Sequence, residues 1–308
     1  MTEDLPRAVM WHYVRSPDAT PAIDYHGVTP EAFAAQLDAI ATTFRPVGWR
    51  ELDSALANGG RLPEDAVVLT FDDGLVDHHR TVLPALVDRG LTAVFFTLAR
   101  RPGDGLTLGH RIHVLRGAWP ADWIRDAVLD RMPPEAMEAY RQAMTRMRTL
   151  HPDDVDDVWK RPLQRELADV AGPILSALIG EMIGPEPDVA ETLYLSSRQL
   201  GDLVAAGMTL GGHTRTHPWL DAITPSRRRD ELAASAADLA RRSPGPWPFA
   251  YPSGGVPRGA GRLLAEAGFG AAFTTDPTER RDRFRIGRVD GDDPTWASQL
   301  TSTGASRR

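Results

Sequence analysis

Two short stretches of this chain gather residue types that can do chemistry together. The first, Thr70-Phe71-Asp72-Asp73-Gly74, is an apolar run that ends abruptly in adjacent carboxylates. Neighbouring negative charges repel unless a cation or a proton relieves them, so the pair is a candidate cation site. The same tripeptide also suits a turn that caps a following helix at Leu75. The second stretch, Gly211-Gly212-His213-Thr214-Arg215-Thr216-His217, spaces two imidazoles four residues apart, close enough to face one ion when the segment curls. Surface histidines also occur at this spacing.

Taken together the two stretches say more, because each follows a strand-like segment in a chain that alternates strands and helices. Val67–Phe71, Thr92–Thr97, Met208–Leu210 and Ala271–Thr274 read as buried parallel strands. Between them, Thr29-Pro30-Glu31 opens a helix with Phe33, Leu37 and Ile40 at helical spacing. Ser196 or Ser197 starts another, ended by Gly207; a third runs from about Pro225 through Leu239, and a fourth stops at Gly268. Such alternation predicts a parallel sheet covered by helices, open or closed as a barrel, with its working groups where strands run into loops. One carboxylate and two imidazoles leave coordination positions free, which fits a catalytic metal rather than a closed structural one. Zinc is the first choice for such donors, with cobalt, nickel, manganese or iron also compatible.

These motifs resemble those of the polysaccharide deacetylase family, carbohydrate esterase family 4, whose members carry a Thr-Phe-Asp-Asp-Gly segment and a His-Ser/Thr-x-x-His segment. The resemblance implies a distorted (β/α) barrel and a metal-dependent hydrolase in which metal-activated water attacks a small N-acyl group, acetyl or formyl, on an amino sugar. It assigns Asp72 as general base and Asp73, His213 and His217 as ligands of one divalent ion. Phe249-Ala250-Tyr251-Pro252-Ser253-Gly254 is similar to the Phe-Ala-Tyr-Pro-x-Gly version found in one branch of the family, with Ser253 in place of a tyrosine. By that likeness Tyr251 and Ser253 are expected at the oxyanion and substrate. This version lacks the arginine that partners the base in other members, and Arg288 is the candidate replacement, a solvated surface arginine being the rival reading. Met10-Trp11-His12-Tyr13 resembles the branch's early histidine segment, making His12 a candidate acid for the leaving amine; a core histidine bonded to a neighbouring strand is the alternative.

Residues from roughly 100 to 195 break the rhythm with helical, charged segments punctuated by prolines, and read as a helical insertion placed to form a lid or substrate wall. His110 and His113 inside it are expected at the surface, while Asp77, His78 and His79 are expected exposed or as outer hydrogen-bond partners. The barrel and insertion are expected to form one domain over 1–296, with 297–308 a disordered tail. The metal-free chain is expected to show a raised carboxylate pKa, since each aspartate opposes its neighbour's charge.

Composition narrows the rest. With 42% hydrophobic and 25% charged residues across 308, the chain has enough apolar material for a sizeable core. A net charge of −7 gives no general attraction for nucleic acid or an anionic membrane. There is no cysteine, which removes thiolate ligands and cysteine nucleophiles. No secretory leader or membrane-length apolar run is present, so the cytoplasm is the expected location and a nucleotide-linked, lipid-linked or small-molecule amino sugar the expected substrate. Two other classes also fit the donors: a non-haem iron oxygenase, whose usual all-β scaffold the α/β pattern argues against, and a non-catalytic carbohydrate-binding relative, argued against by four intact site positions.

Overall fold

The computed structural model describes residues 5–23, 27–150, 158–279 and 282–302. Its framework is an eight-stranded, all-parallel sheet. From one end the strands run Val289–Asp290, Arg7–Trp11, Ala66–Phe71, Val94–Thr97, Thr209–Gly212, Trp247–Ala250 and Phe269–Phe273, with Arg45–Pro46 beside Ala66–Phe71. The segment 286–290 bridges the two ends, since Ile286 pairs with Phe273 while Val289 pairs with Val9. The sheet is therefore curled into the distorted (β/α) barrel expected from the alternation, and the expected strands and helices fall where predicted to within a few residues.

Alternate residues of each strand serve different layers, as a pleat with period 2 requires. In Ala66–Phe71, which is buried throughout, Val67, Leu69 and Phe71 pack outward against helices through Phe33, Leu37 and Ile40. Ala66 and Val68 join Phe96, Ala250 and Phe273 in a second cluster that includes Trp49 and Leu52. Burial on both faces explains why these strands read as unbroken apolar runs.

Register sets the site. Trp11 stands opposite Phe71, Phe71 opposite Phe95, and Thr97 opposite Gly212, so the residues that follow, His12, Asp72, Leu98 and His213, emerge on one rim. The two glycines before His213 are needed for packing: a Cβ on Gly211 would fall 2.5 Å from the Phe96 ring and one on Gly212 2.6 Å from the Phe269 ring.

The insertion is helical, with segments from Leu108–Arg116 to Glu186–Leu193. Ile112, Leu115, Ile124, Leu163, Leu175 and Leu178 form a core of its own, joined to the barrel by Tyr13, Leu75 and Tyr194. The expected loose tail is corrected in part: Trp296–Ser302 is a helix whose Leu300 is fully buried, and 303–308 lie outside the described residues. Among the described residues no helix is long and apolar enough to cross a membrane.

Candidate metal centre and active site

Asp72 leaves the sheet with its N–H donating to the Trp11 carbonyl at 3.0 Å, which sets it beside His12. The next residue, Asp73, turns into the left-handed region at φ 75°. Among the described residues the non-glycine positions with positive φ are Asp73, Thr214, His217 and Ser253, all at this rim. Such backbone is strained for L-residues and persists where the surroundings impose it, typically at working sites.

Three donor atoms of Asp73, His213 and His217 lie within 4.8 Å of one another. Asp73 Oδ1 is 3.4 Å from Nε2 of His213 and 3.4 Å from Nε2 of His217. A tetrahedral ion with bonds of about 2.05 Å separates its donors by about 3.3 Å, so these spacings match the edges of such a site. Asp73 Oδ1 is buried without a hydrogen-bond partner, a cost a cation would remove. His213 Nδ1–H donates to the Ala250 carbonyl at 2.8 Å, which leaves its Nε2 lone pair directed at the carboxylate. Burial drives the His217 pKa down to about 3 against the pull of Asp73, so this imidazole is neutral near pH 7, the form that ligates. The residues present fit a divalent metal.

The turn carrying both histidines is held by a carboxylate the sequence reading missed. Glu231, buried on the helix Pro225–Ala240, accepts from the N–H groups of Arg215 at 2.7 Å and Thr216 at 3.0 Å and from the Thr216 hydroxyl at 2.5 Å. The signal was available, since Glu231, Ser235 and Asp238 form a polar stripe beside the apolar Leu232 and Leu239.

Arg288 is the partner of Asp72. Fully buried, it donates from Nη1 to Oδ1 at 2.6 Å and from Nη2 to Oδ2 at 2.7 Å, while Nε donates to the Thr274 carbonyl at 3.1 Å. It does not line the cavity, so the alternative of a solvated surface arginine does not hold, and neither does a direct substrate contact. Burial works against the Asp72 charge, yet Arg288 and His213 outweigh it and its pKa is lowered. Asp73 is held well below the carboxylate range because His110 and His217 likewise outweigh burial. The expectation of a raised carboxylate pKa in the metal-free chain is thus corrected: Arg288 beside Asp72 and the imidazoles beside Asp73 outweigh burial and hold both carboxylates low.

His12 Nε2 is 3.9 Å from Asp72 Oδ2. Burial opposes charge on this imidazole, but Asp72, Asp73, Asp290 and Asp292 together raise its pKa. Asp292, unremarked in the sequence, is pushed by burial to about 7, with His12 pulling it down. His78 donates to the His12 carbonyl at 2.9 Å from a π-helical turn, and Asp77 pairs with Arg15 at 2.7 Å. His79 faces Asp202 at 3.0 Å, so each of these three side chains is engaged with a partner outside the Asp73–His213–His217 cluster.

Two expectations fail. Tyr251 is a core residue: its ring is buried and its hydroxyl donates to the Phe284 carbonyl at 3.0 Å, so its side chain is not at the substrate. His110 and His113 are not surface groups, because the insertion packs over the rim. His110 is buried with Nε2 3.3 Å from Asp73 Oδ2, and His113 is half-buried against the Tyr13 hydroxyl at 3.2 Å. Barrel and insertion together enclose a cavity of about 510 Å³ lined by His12, Asp72, Asp73, His213, His217 and Ser253 on one side and by His110, His113, Lys160 and Gln164 on the other.

The sequence matches the polysaccharide deacetylase family over residues 59–144 and 173–272, which together take in the Asp-Asp pair, the strand Val94–Thr97 and both histidines. The chain belongs to that family. The interval left between the matched stretches falls inside the helical insertion. Solved structures share the fold: IcaB from Ammonifex degensii (19% identity, TM-score 0.60, 98% of this chain and 97% of that one) and a de-N-acetylase from Aggregatibacter actinomycetemcomitans (14%, TM-score 0.59, 97% and 100%). So does the Streptococcus pyogenes deacetylase PplD in complex with acetate (17%, TM-score 0.56, 97% of each chain). A comparison with curated proteins returns no match.

Proposed function

We propose that this family member is a metal-dependent amide hydrolase that removes a small N-acyl group, acetyl or formyl, from an amino sugar or sugar-containing small molecule. The observation that carries the reading is the convergence of Asp73, His213 and His217 within 4.8 Å at the floor of a cavity that also contains Asp72 and His12. A divalent cation held by those three residues, zinc before others, supplies Lewis acidity toward an acyl oxygen and lowers the pKa of water there. The cavity volume of about 510 Å³ suits a small-molecule ligand or the end of a larger one.

The chain's own groups divide the remaining work. Asp72, kept ionised by Arg288, accepts a proton from the attacking water. The N–H of Ser253, on the cavity wall, donates to the oxyanion. Protonated His12 then gives its proton to the departing nitrogen, and its proximity to Asp72 and the nearby acidic residues favours that charged form. The products are a free amine and a carboxylate.

The test is release of acetate or formate from a panel of N-acylated amino sugars by metal-loaded protein. Asp72→Asn is expected to abolish release, by about 10²–10⁴-fold or more, while binding the same equivalent of metal. Turnover by Asp72→Asn near the wild-type rate, or no release from any member of the panel, contradicts the reading.

A further inference from the structure

The metal-ligand carboxylate has two oxygens in different surroundings. Oδ1 of Asp73 faces His213 and His217 and has no hydrogen-bond partner, whereas Oδ2 lies 3.3 Å from Nε2 of His110. His110 does not come from the barrel. It sits in the first turn of the insertion helix Leu108–Arg116, capped by Thr107, and is buried.

The proton on His110 is set by what faces its two nitrogens. Tyr194 Oη, which accepts from the Thr107 N–H at 3.1 Å, lies 2.6 Å from Nδ1, and the Thr107 hydroxyl lies 2.9 Å from it. Either hydroxyl can donate to Nδ1 as readily as accept from it, and the Asp73 carboxylate facing Nε2 selects the tautomer with the proton on Nε2. The opposite tautomer would aim a bare nitrogen lone pair at a buried carboxylate oxygen. Tyr194 is itself fixed, with its ring packed in the insertion core and the Arg100 guanidinium 3.9 Å over its face.

We propose that His110 is a positioning residue for the metal centre: its Nε2–H holds Asp73 Oδ2, so that Oδ1 alone is presented with His213 and His217, and the insertion thereby tightens metal binding. This inference rests on the metal-site reading given above. It gives the insertion a role beyond walling the cavity, because the Thr107–Tyr194–His110 relay transmits the insertion's packing to one ligand atom. Outer partners that orient a ligand in this way are worth about 10–100-fold in metal affinity.

The test measures zinc affinity of the full chain, stripped of metal, by competition with a chromophoric chelator, with thermal unfolding of each metal-free variant as the folding control. His110→Ala is expected to bind zinc about 10–100-fold more weakly than wild type. His110→Gln, which keeps an N–H donor, is expected to recover most of the loss, and Tyr194→Phe, which removes one donor to Nδ1 and leaves the packing, to show a smaller weakening. The visible spectrum of the cobalt form is expected to be alike in wild type and His110→Gln. Affinity of folded His110→Ala within about twofold of wild type overturns the inference and leaves the metal site standing. Failure of His110→Gln to recover affinity, with a changed cobalt spectrum, makes His110 a ligand and also overturns it. Wild type that takes up no zinc overturns the metal reading itself, and this inference with it.

Discussion

Replacing Arg288 with Met removes the cation that neutralises Asp72 and leaves a hydrophobic side chain of similar length in a fully buried position. The carboxylate then keeps the cost of burial without the contacts at 2.6 and 2.7 Å that offset it. Breaking a buried pair from one side costs about 3–5 kcal/mol. With an unfolding entropy of about 2.1 cal/mol/K per residue over a chain of 308, that is a fall in Tm of about 5–8 °C. The penalty depends on pH in a definite direction. In the wild type Asp72 titrates below its ordinary 3.8, so its stabilisation is present above that value and lost only as pH falls through the lowered one. In Arg288→Met burial dominates and the pKa of Asp72 rises above 3.8, so the variant regains stability relative to wild type as the pH falls and the carboxylate takes up a proton. Urea unfolding of the metal-free proteins at pH 8 and pH 5, with Asp72→Asn and the double variant, measures all of this. The double variant should lose less than the sum of the singles by about 2–3 kcal/mol, because no unpaired buried charge remains. Additivity to within about 0.5 kcal/mol, or a penalty that grows toward acid pH, would refute the pairing.

Two further outcomes follow from the same electrostatics. In metal-free protein, His12 should titrate above 6.5 by NMR because its acidic neighbours outweigh burial, and Asp292→Asn should lower the midpoint; a wild-type midpoint below 6.5 contradicts this. His217, held near 3 when folded against 6.5 unfolded, contributes stability that is present above pH 6.5 and lost as the pH falls toward 3, about 2 kcal/mol between pH 6.5 and 4.5. Metal-free His217→Gln should show a shallower acid loss than wild type, and equal slopes would contradict that assignment.

What could be read from the chain divides along a physical line. Asp72, Asp73, His213 and His217 were legible because each depends on local facts: an apolar strand, its end, and the residue types that follow. Arg288 was legible as a partner for Asp72 only through the family likeness, since the pair is separated by 216 positions and nothing local marks an arginine as buried. His110 was misread because its burial depends on where a whole helical insertion packs. Tyr251 was misread for the converse reason, a motif position whose side chain turns into the core while its neighbour Ser253 faces the cavity. Glu231 was marked by the polar stripe it shares with Ser235 and Asp238, but not its partners Arg215 and Thr216, and nothing local marks Asp292 as a neighbour of His12. The barrel came through better than its closure, because the bridging segment Val289–Asp290 is too short to carry a periodic signal.

The most direct measurement is anomalous diffraction from crystals of this protein grown with zinc. One strong peak should lie about 2.0–2.2 Å from Asp73 Oδ1, His213 Nε2 and His217 Nε2, with Asp72 turned to the same space and still paired with Arg288. No peak between those three atoms, with zinc scattered elsewhere on the surface, would contradict the account at its root.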